Sequence, residues 1–211
     1  MGLPLNNFPV LVLATQNQDK ARELTSLLQE CPYEFQSLTD HNIVLTIEET
    51  GSTLEENAVL KARKYMELAG LPCLSDDSGL EVDCLGGEPG VHTKRYGGLE
   101  NASDQSKNDY LLSKLRESQS ADWSAKYVSV ISIAWPNGTI MTYKGECYGK
   151  IISRCKGEFG FGYDPIFYLP RLGKTMAELS LEQKNLISHR GIAARKAIEG
   201  LKNLAQSLRK I

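Results

Sequence analysis

"FPVLVLATQNQDKARELTSLLQE", residues 8 to 30, decides the fold class. It opens on a short run rich in Val and Leu, bounded by Pro9 and a polar turn, the pattern of a buried strand. The period then changes: Ala21, Leu24, Leu27 and Leu28 recur at helical spacing, and Asn17 stands where a helix cap belongs. A strand leading directly into a helix is the building element of an α/β fold.

The alternation continues outward. "YEFQSL" predicts a second strand and "TLEENAVLKARKYMELAG" a second helix, with Thr53 and Glu56 at capping-box spacing and Gly70 placed to close it. "LPCLSD" and "LEVDCL" predict short strands on either side of an acidic turn, and "SDQSKNDYLLSKLRES" predicts a third helix. "KYVSVISIAW" and "TIMTYKGECYGKI" flank "PNG", a hairpin signal. "SHRGIAARKAIEGLKNLAQSLRK" predicts a long amphipathic helix with a basic tail. The expected architecture is α/β with a mixed sheet flanked by helices. No repeat, low-complexity tract or Pro/Gly/Ser linker interrupts the chain, so residues 1–211 are taken as a single domain with room for two lobes.

Composition excludes several classes. Acidic and basic residues nearly cancel, 26 against 24, which argues against bulk attraction to nucleic acid or an anionic membrane and makes any anion site local. No apolar run approaches the roughly 18 residues of a spanning helix, and the start "MGLPLNNFP" lacks a basic n-region and a long h-region, so a cytoplasmic location is expected. The five cysteines, Cys31, Cys73, Cys84, Cys147 and Cys155, are scattered and form no C-x-x-C pair; they are expected as small buried hydrophobes rather than disulfides or a zinc site. His41, His92 and His189 are too dispersed to suggest a metal cluster from spacing.

Basic residues at helix starts carry the first chemical signal. A helix N-terminus is electrically positive, yet Lys20 falls in the first turn of the helix opened by "TQNQDK". A phosphate docked on the free N–H groups of that turn would engage Thr15, Asn17 and Lys20 as hydroxyl, amide and ammonium; alternatively the lysine is simply solvated. "SHRG" repeats the exception, with Ser188 as cap and His189 and Arg190 in the first turn. Arg190 could fork onto phosphate and His189 donate to phosphate or base. Lys184, at the end of a short helix in "AELSLEQKN", is an ordinary solvated charge by spacing alone.

Acidic residues supply the second signal. Asp76 and Asp77 follow an apolar strand and precede Ser78-Gly79, so one carboxylate is expected to point inward and the other outward at the strand's carboxyl end, where open α/β sheets bind ligands. "IEETG", residues 47 to 51, adds Glu48 and Glu49 just before the second helix. Hard carboxylate oxygens suit Mg²⁺. Acids for a metal and bases for an anion together describe a nucleoside triphosphate site, though an exposed acidic turn would give the same local pattern. "GEFGFGYDPIF", residues 157 to 167, is neither a dinucleotide fingerprint nor a P-loop; Phe161 and Tyr163 between its glycines offer an aromatic face for a base, or a packed turn. "LGGEPGVHTKRYGG", residues 85 to 98, is a similar loop carrying Lys94 and Arg95.

Five blocks, "TQNQDKARELTSLL", "EETGSTLEENAVLKARKY", "SDDSGLEVDCLGGEPGVHTKRYGG", "GEFGFGYDPIF" and "AELSLEQKNLISHRG", occur in an order that resembles the inosine triphosphate pyrophosphatase family over nearly the whole chain. The resemblance implies an elongated two-lobed α/β fold with a central mixed sheet and a cleft, Mg²⁺ dependence and homodimerisation. It also implies hydrolysis of noncanonical purine nucleotides, ITP, dITP and XTP, to the monophosphate and pyrophosphate. By motif position, Thr15, Asn17 and Lys20 would hold the triphosphate, Asp77 would be general base and metal ligand, and Glu48 the other metal ligand. Ser78, Phe161, Gly162, Tyr163, Asp164, Lys184, His189 and Arg190 would bind substrate. Departures are mild: "STLEENA" has leucine where the family often has phenylalanine, and "VHTKRY" varies around its arginine.

On this expectation Asp77 takes the proton of a water attacking the α-phosphorus, while lysines and Arg190 stabilise the phosphoryl charge. A donor aimed at the 6-oxo group would reject adenine. Two other functions fit parts of the pattern: a Maf-type pyrophosphatase of modified pyrimidine nucleotides, disfavoured by the "SHR" and "FGYDPIF" blocks, and a nucleotide-binding module that does not hydrolyse, disfavoured by Asp77 and Glu48 together.

Overall fold

The computed structural model describes residues 9–99 and 101–208. Phe8 at the head of the first expected strand, the rest of "MGLPLNNF", and the basic tail residues Arg209 and Lys210 lie outside the described residues. Strand β1 (Val10–Leu13) runs into helix α1 (Gln18–Leu27), followed by β2 (Glu34–Ser37), α2 (Leu54–Ala69), β3 (Cys73–Val82), α3 (Asp104–Glu117), β4 (Ser124–Ala134), β5 (Ile140–Ile151), β6 (Phe167–Leu169), β7 (Lys174–Thr175), α4 (Leu181–Ile187) and α5 (His189–Leu208).

The helix starts follow the chemistry of their caps. Asn17 Oδ1 accepts the Lys20 N–H at 3.0 Å, and the Thr53 hydroxyl accepts the Glu56 N–H at 3.1 Å. The capping box expected at α2 is half formed, because the Glu56 carboxylate turns to the Ser52 N–H and hydroxyl, both at 2.7 Å. Gly70 ends α2 in the left-handed conformation, φ 65°, which a side chain would strain. Ser188 accepts the Gly191 N–H at 3.0 Å, the predicted cap of α5. The "PNG" turn forms as expected, with the Trp135 N–H bonded to the Thr139 carbonyl across it.

One expectation is overturned. "LSDDSGLEVD" holds no turn; a single ten-residue strand, β3, passes straight through it. Gly79 is there for close approach rather than for bending, since a Cβ at that position would strike the Gly90 carbonyl oxygen. The polar centre of the strand is satisfied internally: the Ser75 hydroxyl donates to the Ala58 carbonyl at 2.5 Å, and both aspartates find lysines.

The seven strands form a mixed sheet in the order β2-β1-β3-β4-β5-β6-β7. β1 pairs in parallel with β2 and β3, while β5 with β6 and β6 with β7 are antiparallel. The chain divides into two compact units. The first comprises the chain up to Asp77, Val130–Tyr143 and the chain from Ala193 on; the second comprises Ser78–Ser129 and Lys144–Ile192. The crossings fall inside β3, β4, β5 and α5 rather than in loops, which is why no linker is visible in the sequence.

In the first unit β1 is buried on both faces. Leu11 and Leu13 pack with Leu24 of α1, with Leu28 at its C-cap, and with Ala193, Ala194, Ala197 and Leu201 of α5. Val12 and Ala14 pack with Tyr65 of α2 and with Cys73. The second unit has its own core, in which Leu80 and Val82 meet Leu111, Leu112 and Leu115 of α3, Tyr127 of β4, and Tyr163, Ile166 and Phe167. All five cysteines are free; Cys73 and Cys147 are buried as expected, Cys31 and Cys84 are half-buried, and Cys155 is exposed, contrary to expectation. Among the described residues no helix is long and apolar enough to cross a membrane.

Candidate functional site

Asp76 and Asp77 sit mid-strand in β3, 2% and 5% exposed. The expectation of one inward and one outward carboxylate is therefore corrected: both faces of the sheet are covered here, so alternation along the strand sends the two side chains to opposite buried faces. Each meets a lysine from the helix on its own side. Lys20 Nζ of α1 lies 2.9 Å from Asp76 Oδ2. Lys61 Nζ of α2 donates to Asp77 Oδ1 at 2.8 Å, to Glu49 Oε1 at 2.7 Å and to the Asp76 carbonyl at 3.0 Å. A buried carboxylate is strongly disfavoured unless it is paired, and these lysines supply the pairing.

The electrostatics of this group are set by burial. Desolvation pushes the Asp77 carboxyl above the ordinary carboxylate range; Lys61 and Lys20 oppose the shift and Glu49 adds to it. For Lys61 burial works against the ammonium, yet Asp77 and Glu49 outweigh it and hold its pKa above the usual lysine value. A carboxylate moved toward neutrality is a better proton acceptor at working pH.

Lys20 follows the turn from Thr15 to Asn17. The Thr15 hydroxyl accepts the Asn17 N–H at 3.2 Å, and Asn17 spends its side-chain oxygen on the α1 cap. Glu48 is exposed and Glu49, its neighbour, is half-buried on Lys61. The donor set suits a divalent cation: Asp77 Oδ2 is buried with no hydrogen-bond partner among the described residues, an acceptor awaiting a positive charge. Among the described residues no group of three or more His, Cys, Asp or Glu side chains is arranged to hold a metal.

The second unit carries the other predicted residues. Arg190, 1% exposed, donates from Nη2 to the Ser78 hydroxyl at 2.9 Å, and Ser78 follows Asp77 directly on β3. No acid occupies the first turn of α5, so His189 and Arg190 stand there as the sequence placed them. Lys184 corrects its expected solvation: it is buried, with Nζ 2.5 Å from Asp164 Oδ2. The Lys184 ammonium and the Arg190 guanidinium both face the Phe161 ring, at 4.7 and 5.8 Å from its centroid.

The glycine-rich loop is built around Asp164. Its Oδ2 accepts the Phe161 N–H at 3.0 Å, and a Cβ on Gly160, φ 76°, would strike that same oxygen. Gly162, φ 64°, donates its N–H to Asp104 Oδ2 at 2.6 Å. Tyr163 departs from the expected aromatic face: its ring is buried in the core and its hydroxyl donates to the Thr93 carbonyl at 3.2 Å. Phe161 is partly exposed, and Phe159 in the same loop is exposed.

Lys61 and Tyr127 carry no role in the sequence reading, and Asp76 and Glu49 carry no partner. Lys61 lies one turn from Asn57, Ala58 and Tyr65, all buried, so a lysine on the apolar face of α2 was the available signal. Asp76 and Glu49 find their partners, Lys20 and Lys61, only in the folded chain. Tyr127 on β4 carried no signal beyond an aromatic in an apolar strand, yet it stacks on the His189 imidazole with centroids 4.6 Å apart and planes at 13°.

The Ham1 family model matches residues 11–200. A dITP/XTP pyrophosphatase of Desulforamulus reducens is 47% identical over 194 residues, 92% of this chain and 96% of that protein. One from Thermus thermophilus is 46% identical over 193 residues, 92% of each chain. Among solved structures, a HAM1 protein from Coxiella burnetii is similar with a TM-score of 0.86 at 40% identity, over 92% of this chain and 99% of that one. The Staphylococcus aureus Ham1 protein matches with a TM-score of 0.82 at 41% identity, over 92% and 98%.

Proposed function

Because this chain belongs to the Ham1 family, we propose that it is a nucleoside triphosphate pyrophosphatase that hydrolyses noncanonical purine nucleotides, ITP, dITP and XTP, to the monophosphate and pyrophosphate. The observation that carries the reading is the pair of buried acid–lysine contacts on β3, with one Asp77 oxygen left unpartnered. Such a group has charges of both signs to exchange for a metal ion and a polyanion.

In this reading Asp77 and Glu48 hold Mg²⁺, which when bound neutralises charge on the triphosphate oxygens. Asp77, its pKa raised by burial, accepts the proton of the water that attacks the α-phosphorus. Lys20 leaves Asp76 for a phosphate oxygen, with Thr15 and the N–H groups of the α1 start beside it. Lys61 keeps Asp77 Oδ1 aimed, and Arg190 contributes a planar fork for a further phosphoryl oxygen. Phe161, Gly162, Asp164 and Lys184 belong to base recognition. There His189 offers a donor that a 6-oxo purine can satisfy, whereas adenine's amino group would leave it unpaired. Tyr163 enters through its backbone, given where its ring is. The same reading takes the protein as a cytoplasmic homodimer, to be checked by its sedimentation mass.

The test is pyrophosphate release from ITP, XTP, dATP, dGTP and a modified pyrimidine triphosphate with Mg²⁺ present. Preference for ITP and XTP is expected. Preference for the pyrimidine would favour the Maf-type activity, and binding without release would leave only a nucleotide-binding module.

A further inference from the structure

Tyr127 is buried in the second unit against two members of the proposed base-recognition group, His189 and Asp164. Its ring stacks on the His189 imidazole at 4.6 Å and lies tilted at 41° against Phe167, 4.5 Å away. Burial raises the pKa of its hydroxyl and the Asp164 carboxylate adds to the shift, the pairing expected of a hydrogen bond; that same carboxylate accepts the Phe161 N–H and the Lys184 ammonium. His189 heads α5, while Asp164 belongs to the glycine-rich loop, so one side chain of β4 ties together two segments far apart in sequence.

Packing alone does not call for this residue. A phenylalanine would fill the same volume, whereas a tyrosine hydroxyl in a core must find an acceptor, and here the acceptor is a carboxylate that shapes the loop. An imidazole donates in its own ring plane. A near-parallel stack therefore limits which directions the His189 N–H groups can take.

We infer that Tyr127 is a positioning residue for base selection, its ring setting the plane of His189 and its hydroxyl setting Asp164. The inference rests on the proposed function. Tyr127 belongs to the second unit, whereas Lys20, Asp76 and Asp77 belong to the first, so its removal should loosen discrimination between 6-oxo and 6-amino purines and leave triphosphate engagement alone.

The test compares kcat and KM for ITP and ATP in wild type, Tyr127→Phe and Tyr127→Leu, with inorganic tripolyphosphate as a competitive inhibitor lacking a base. Tyr127→Phe keeps the stack and is nearly isosteric, so it guards against a folding defect. It is expected to raise KM for ITP about tenfold, the scale of one hydrogen bond to a charged group, with kcat and inhibition by tripolyphosphate unchanged. Tyr127→Leu, which also frees the imidazole, should narrow the ITP-to-ATP ratio of kcat/KM further. A ratio that stays at the wild-type value in both variants, or tripolyphosphate affinity that falls in step with ITP, would make Tyr127 a core filler and overturn the inference. The wild-type arm is read first: no preference for ITP over ATP there would overturn the proposed function and this inference with it.

Discussion

Replacing Lys184 with methionine leaves Asp164 without its ammonium in a place where both side chains are 4% exposed and 2.5 Å apart. Breaking a buried pair from one side costs about 3–5 kcal/mol, because the remaining charge is stranded. Asp164 keeps the Phe161 N–H and the Tyr127 hydroxyl, so Lys184→Met should fall near the lower end, about 3 kcal/mol. Asp164→Asn strands a cation instead, and Arg190 shares the Phe161 ring with it, so about 4–5 kcal/mol is expected. The double variant strands neither charge; its loss should be smaller than the sum of the two by about 2–3 kcal/mol, within the range seen for groups in contact. Urea unfolding of the four proteins closes the cycle. The two tryptophans make the assay selective: Trp123 packs against the core of the second unit and Trp135 against that of the first, so a Trp135→Phe background reports on the unit that holds the pair. Additivity within about 0.5 kcal/mol would refute the claim that Lys184 and Asp164 form one buried electrostatic unit.

Asp77→Asn should lose several orders of magnitude in turnover while keeping the fold, with a lower unfolding midpoint because Lys61 is left with Glu49 as its carboxylate partner; a folded variant at wild-type rates would remove Asp77 from the chemistry. Lys20→Ala should weaken triphosphate binding by about 1.5–3 kcal/mol and also destabilise the fold, because Asp76 loses its cation. Adding Asp76→Asn should restore the stability and not the affinity, and calorimetric titration with tripolyphosphate beside urea unfolding separates the two. The third expectation concerns pH in the metal-free protein. Burial sets the folded pKa of Asp77 above its unfolded value, so folding takes up protons and this contribution to stability declines as pH rises from about 4 through the folded pKa. Lys61→Met removes the foremost opposing cation and widens that window upward, so the stability gap between wild type and variant should be larger at pH 8 than at pH 5; equal gaps in urea unfolding with a chelator present would sink the argument.

Much of the fold was legible because period and caps agree. The Val/Leu run of β1, the helical spacing behind Asn17 and the "PNG" turn each have a local cause that the structure retains. β3 misled because its centre is polar. Two adjacent aspartates followed by Ser-Gly read as a turn when only neighbours in sequence are considered, and the lysines that keep them in the core come from α1 and α2. Lys184 misled for the same reason: its partner Asp164 is distant in sequence, and a lysine late in a helix needs no partner on local grounds. Basic residues at the starts of α1 and α5 were readable because they violate a local rule. Tyr127 violates none, so its place beside His189 could come only from the folded chain.

The interleaving of the two units has a consequence for synthesis. A ribosome delivers every segment of the second unit by Ile192, whereas the first unit, although it holds the earliest strands, still lacks Ala193, Ala194, Ala197 and Leu201. Until α5 emerges, Leu11, Leu13 and Ile131 have an open side where those residues will pack. The nascent chain therefore matures out of order, and the half made first is the half exposed longest to chaperones and to neighbouring chains.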